Sequence, residues 1–126
     1  MNFTRTLIAT ALVLSTSLVQ ALTLAPYSAA ALAEAQKAGE PVALHFHADW
    51  CTTCKAQDKA LTELQADPSL KLTVLRVDYD KEGDLKQQLK VRSQSTLIVY
   101  RGAIERARLA GETQPDKLKA ALKTAL

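Results

Sequence analysis

The run "VALHFHADWCTTCK", residues 42–55, carries an apolar, strand-like stretch directly into two cysteines three residues apart, where a helical pattern begins. Residues 45–55 also hold both histidines, the only tryptophan and both cysteines of the chain. A C-x-x-C alone is also half of many zinc sites. Its place here, after a strand and in the first turn of a helix, is more telling. Unpaired amides and the dipole at a helix start favour a thiolate, the species that attacks disulfides. Cys51, nearer the helix start and preceded by Trp50, is the expected nucleophile. Cys54, one turn in, is placed to fold back on a mixed disulfide and release the product.

At 126 residues with 48% hydrophobic content, the chain suffices for one domain with its own core. The formal charge of +3 is interleaved with acids, as in "DYDKEGDLKQQLKVR". No basic stripe tracks a phosphate backbone, which argues against a nucleic-acid partner.

Residues 1–21, "MNFTRTLIATALVLSTSLVQA", open with Arg5, run uncharged from Leu7 to Val19, and end on Val19-Gln20-Ala21. That pattern predicts a signal peptide cleaved after Ala21 and an exported mature domain of residues 22–126. An uncleaved anchor is the alternative, but Thr10, Ser15, Thr16, Ser17 and Gln20 leave an apolar part shorter than the ~20 residues of a span. Outside the cytosol a thiol pair tends to be oxidised. A bond between Cys51 and Cys54 would close too short a loop to stabilise the fold much, so reactivity explains the pair better.

Along the mature part, "PYSAAALAEAQKAGEPV" reads as a helix capped by Ser28 and ended by Gly39 and Pro41. Val42–His47 reads as a buried strand, and "CTTCKAQDKALTELQ" as a helix with Leu61 and Leu64 inward. "KLTVLRVDYD" reads as a strand and "GDLKQQLKV" as a short helix with Asp84 as candidate cap. "STLIVYRG" and "AIERARLAG" form two strands around a tight turn near Arg101 and Gly102. "TQPDKLKAALKTAL" closes as an amphipathic helix with Leu118, Ala121, Leu122 and Ala125 inward. The order α, β, α, β, α, β, β, α predicts an α/β fold with a central mixed sheet flanked by helices.

On "ADWCTTCK", "LTVLRVDYD", "STLIVYRG", Gly111 and the last helix, the chain resembles the thioredoxin family, and within it the thioredoxin-like modules exported by bacteria. "ADWCTTCK" is also similar to the C-terminal domain of transmembrane disulfide reductases. The resemblance spans about Tyr27–Leu126 and implies a thioredoxin-like fold with a four- to five-stranded sheet. It implies that Cys51 attacks, Cys54 resolves, and the two form a redox-active disulfide. Trp50 would shield the pair, and Thr52 and Thr53 would help set redox poise. Gln94, Ser95, Thr96 and Gly111 would lie in loops that dock substrate.

Three departures from the family stand out. Ser95 occupies the position of a proline with a cis peptide. A cis bond before another residue costs roughly 2.5–4 kcal/mol, so the Gln94–Ser95 peptide is expected to be trans, freeing an N–H and a hydroxyl beside the cysteines. His45 replaces a buried acid near the resolving cysteine. It is either a proton relay for Cys54 or a core residue with one satisfied nitrogen. His47, on the same strand face, replaces a large aromatic; it either packs and hydrogen-bonds at the surface or acts on the Cys51 thiolate. Arg76 matches a family lysine that pairs with the missing acid, so it is expected to be structural and without that partner. Asp49 is expected to be solvated, and Asp78 and Asp80 to belong to a strand end.

The expected activity is thiol–disulfide exchange without a bound cofactor, acting as a reductant on protein disulfide or dithiol substrates. A transmembrane disulfide reductase is the natural electron donor, and a monomer the default state. The alternative is a metal-binding or metal-delivery module built on Cys51, Cys54 and nearby His45 and His47, a donor set that suits zinc or copper.

Overall fold

The computed structural model describes residues 21–126. The expected export segment, apart from Ala21, lies outside the described residues. The chain order is β1 (Leu22–Pro26), α1 (Ala29–Lys37), β2 (Pro41–His47), α2 (Thr52–Leu64), β3 (Leu72–Asp78), α3 (Gly83–Leu89), β4 (Thr96–Arg101), β5 (Ile104–Ala110) and α4 (Pro115–Lys123). The five strands form one mixed sheet in the order β1-β3-β2-β4-β5. β1, β3 and β2 run parallel, while β4 and β5 complete an antiparallel half.

β2 stands at the centre of the sheet and is covered on both faces: Val42 to His47 are all buried. A near-continuous apolar run is what such a strand requires. On one face Ala43, Leu97 and Val99 pack under Leu61 and Leu64 of α2 and Leu118 and Leu122 of α4. On the other, Val42, Leu44, Phe46 and Ile98 pack against Leu32 of α1 and Leu85 and Leu89 of α3. His45 and His47 share the α2 face with Ala43, since alternate residues of a strand point the same way.

The helix termini follow local chemistry. Ser28 Oγ accepts the Ala31 N–H at 3.0 Å and caps α1. Leu118, Ala121, Leu122 and Ala125 are buried beneath α4, as its spacing predicts. Gly102, in the β4–β5 turn, adopts φ +57°, which strains any other residue, and a Cβ there would press on Gly39 Cα at 3.3 Å.

Two expectations are corrected. The described residues begin with a strand ahead of the expected helix, because "LTLAP" becomes β1 by pairing with β3 at the sheet edge. Only Leu22 of its five residues is buried, so its sequence alone carries little strand signal. Asp84 does not cap α3. Glu82 holds that position without a side-chain bond, and Asp84 sits in the first turn, where its charge suits the helix dipole.

Candidate active site

β2 delivers the chain to a one-residue cap at the start of α2. The Cys51 N–H bonds to Ala48 O at 3.0 Å, and Cys51 stands at the N-cap with extended backbone. Its sulfur takes the place of a capping oxygen, accepting the Cys54 N–H at 3.1 Å. Both cysteines are free thiols; Cys51 is 4% exposed and Cys54 fully buried. Cys54 Sγ is 3.8 Å from Phe46 O.

Ser95 faces both sulfurs. Its Oγ is 3.2 Å from Cys51 Sγ and 3.1 Å from Cys54 Sγ. No peptide bond among the described residues is cis, so Gln94–Ser95 is trans. Ser95 adopts φ +63°, and its freed N–H donates to Phe46 O at 2.9 Å. Its carbonyl accepts from Gly111 N–H at 3.0 Å and Gln57 Nε2 at 2.9 Å.

These contacts divide the two thiols. Burial pushes Cys51 up, but hydrogen bonds from Cys54, Ser95 and the N–H groups of Cys54 and Thr53 outweigh it and bring its pKa below the ordinary thiol value. Burial, then the bond shared with Cys51, raises Cys54. The proton therefore stays on Cys54 while Cys51 becomes the thiolate, the polarity an attacking and a resolving sulfur need.

Around the pair, Trp50 is 61% exposed and its Nε1–H donates to Asp80 Oδ2 at 2.7 Å. Thr52 and Thr53 are exposed in the first turn of α2. Gln94 is half-buried, and Thr96 is buried with its hydroxyl bonded back to Ser93 O at 2.8 Å. Gly111, at φ +71°, is exposed. Ser95 and Gly111 are thus brought together beneath the cysteines, while the Thr96 side chain turns into its own loop.

The histidines belong to a second cluster. His45 is 1% exposed, with Nε2 2.8 Å from Gln57 Oε1 and Nδ1 3.5 Å from Asp58 Oδ1. Neither sulfur is among its hydrogen-bond partners. The Gln57 amide nitrogen is committed to two carbonyls, Ser95 O at 2.9 Å and Glu112 O at 2.8 Å. Its oxygen must therefore face His45, so His45 donates from Nε2 and neutral Nδ1 is bare. Burial lowers the His45 pKa, partly countered by Gln57 and Asp58. Among the described residues, the hydrogen bonds that join His45 to the cysteine region run through Gln57, whose amide holds the Ser95 carbonyl.

His47 Nδ1 is 3.1 Å from Asp58 Oδ2 and Nε2 is 3.0 Å from Asp49 Oδ1. Its ring meets that of His45 edge-on at 5.8 Å. Arg76 is not without an acid: its guanidinium pairs with Asp58 of α2 and lies 2.7 Å from His47 Nε2. A carboxylate from the helix thus replaces the one absent from the strand. Asp49 is fully exposed apart from that contact, and Asp78 Oδ1 accepts the Asp80 and Lys81 N–H groups in the turn after β3.

Gln57 and Asp58 are the residues sequence reasoning missed. Gln57 had a signal: with Cys54, Leu61 and Leu64 it lies on the buried stripe of α2, the one polar member there. The set Cys51, Cys54, His45 and His47 is not assembled as a metal site. Among the described residues, the only three potential ligands within 4.8 Å are His45, His47 and Asp58, and Arg76 puts a fixed cation against two of them. A cleft of about 560 Å³ is lined by Leu24, Pro26, His45, Asp58, Leu61 and Arg76, and by neither cysteine. No helix among the described residues is long and apolar enough to cross a membrane.

Residues 24–124 match the family model described as Thioredoxin. Thioredoxin-1 of Drosophila melanogaster is 36% identical over 70 residues, covering 56% of this chain and 65% of that protein. Mouse mitochondrial thioredoxin is 30% identical over 66% of this chain and 50% of its own length. The chain thus spans half to two thirds of the length of these two relatives. Among solved structures, Trxlp from Edwardsiella tarda is 44% identical with a TM-score of 0.75, covering 79% of this chain and 98% of that one. The Drosophila germline protein Deadhead is 31% identical with a TM-score of 0.63, covering 74% and 87%.

Proposed function

The chain belongs to the thioredoxin family, and on that premise we propose that it is a thiol–disulfide oxidoreductase in which Cys51 attacks and Cys54 resolves. The observation that carries this is the division of the pair: a capping sulfur whose pKa is lowered beside a fully buried one whose pKa is raised. Cys51 thiolate forms a bond to one substrate sulfur, and the other leaves as a thiolate. Cys54 then bonds to Cys51, the second substrate sulfur departs, and two electrons have passed from the dithiol to the substrate.

The proposal extends to place and direction. The chain is exported to the periplasm, loses residues 1–21, and acts as a monomeric reductant of protein disulfides recharged by a transmembrane disulfide reductase. The uncharged run from Leu7 to Val19 and the small residues before the cut support export. Cleavage after Ala21 keeps all of β1 and removes one bond to the edge, from Leu72 N–H to Ala21 O at 3.2 Å.

Equilibration of the purified protein with glutathione redox couples, with and without chelator, tests the chemistry. A reversible two-electron transition indifferent to chelator is expected. A potential near about −270 mV supports a reductant, and one near −120 mV an oxidant. A reduced form that keeps stoichiometric metal and resists oxidation would sink exchange. Fractionation of cells producing the tagged chain, with the mature N-terminus sequenced, tests export and the cut.

A further inference from the structure

Ser95 is 3% exposed, and among the described residues its Oγ is the side-chain oxygen that hydrogen-bonds both sulfurs, at 3.2 Å from Cys51 and 3.1 Å from Cys54. Its backbone is anchored on three sides. Phe46 of β2, Gly111 after β5 and Gln57 of α2 hold its N–H and carbonyl at 2.9–3.0 Å. This fixes the hydroxyl between the cysteines rather than leaving it to a surface rotamer. Cys54 is fully buried, and its sulfur has Ser95 Oγ as a much nearer polar neighbour than Phe46 O at 3.8 Å.

We propose that Ser95 is a third catalytic residue, whose hydroxyl bridges the reduced pair by donating to the Cys51 thiolate while sharing the Cys54 S–H with it. The inference rests on the exchange chemistry proposed above, though not on its direction. Charge-assisted bonds of this kind are about twice as strong as neutral ones. In the disulfide there is neither an anion to receive the Ser95 proton nor an S–H to donate to Ser95. The bridge therefore stabilises the dithiol form relative to the disulfide.

The same hydroxyl gives the buried proton a way out. When Cys54 attacks Cys51, the bond between Cys51 and the substrate sulfur breaks and its electron pair leaves with that sulfur. The Cys54 proton passes to Ser95 Oγ as the Ser95 hydrogen passes to solvent. Ser95 is unchanged at the end, and the substrate sulfur leaves as a thiolate.

Ser95→Ala and Ser95→Gly both remove the hydroxyl but treat the backbone oppositely, because glycine adopts φ +63° without strain and alanine does not. In both, the equilibrium with glutathione is expected to move toward the protein disulfide by roughly tenfold, about 30 mV. Alkylation of Cys51 near neutral pH is expected to slow by roughly threefold, as lost thiolate is partly offset by greater nucleophilicity. Product release from the mixed disulfide also slows in both. A pair that is a stronger reductant yet a slower nucleophile is not the signature of a loosened fold. Unchanged equilibria, or variants that move in opposite directions, overturn the bridge alone. A wild type without a reversible dithiol transition overturns the exchange chemistry and the bridge with it.

Discussion

The side-chain amide of Gln57 holds the carbonyl of Ser95 at 2.9 Å, joining the second turn of α2 to the loop that faces the reactive sulfurs. The same amide bonds Glu112 O at 2.8 Å and takes the His45 Nε2–H at 2.8 Å. One fully buried side chain therefore satisfies three groups from three other segments.

Gln57→Leu roughly keeps the volume, strands Glu112 O and His45 Nε2, and leaves Ser95 O with the Gly111 N–H. The expected loss is about 2–4 kcal/mol, the range for stranded buried polar groups. Urea unfolding measures it, and a loss below about 0.5 kcal/mol would show that water or rearrangement replaces the amide.

His45 gives the stability a pH dependence whose sign follows from its lowered pKa, caused first by burial. The unfolded chain takes up a proton near pH 6.5 that the folded ring refuses. Stability is thus full above about 6.5 and falls toward the depressed folded value by up to about 1.4 kcal/mol per pH unit. Glu112, lowered chiefly by the Gln114 N–H, and Asp67, lowered chiefly by Lys119, lose their contributions at more acidic pH, in and below the carboxylate range. Urea midpoints between pH 7.5 and 5 should slope in the wild type and flatten in His45→Gln; equal slopes would reject the assignment.

The two cysteines should differ in reactivity. At neutral pH a small alkylating agent is expected to modify Cys51 at least roughly tenfold faster than Cys54, as peptide mapping by mass spectrometry would read. Cys54→Ser should accumulate a stable mixed disulfide with substrate, and Cys51→Ser should form none. Trapping through Cys54 instead would reverse the assigned roles.

Asp58→Asn removes the carboxylate shared by Arg76, His45 and His47. Arg76 is half exposed, so the stability cost of breaking that pair should stay at or below about 1 kcal/mol. Asp58 also raises the His45 pKa against the effect of burial, so the variant should titrate His45 at still lower pH. NMR titration of the ring checks this, and an upward shift would contradict it.

The sequence by itself determined the elements that carry the chemistry. An apolar run, a C-x-x-C and a helical stripe with Leu61 and Leu64 place two sulfurs at a helix start, because helix caps and burial periodicity are local properties that spacing records. It also located Ser28 as a cap and the inward face of α4. Tertiary structure decided what those residues meet. Ser95 comes to the sulfurs from 41 and 44 residues away. The β2–β3 register that sets His45 beside Arg76 brings the latter within reach of Asp58, a partner the strand sequence does not contain. β1 became a strand only because β3 offered it an edge. Periodicity reports which side of an element is buried; the group standing opposite is fixed by register and packing between distant segments.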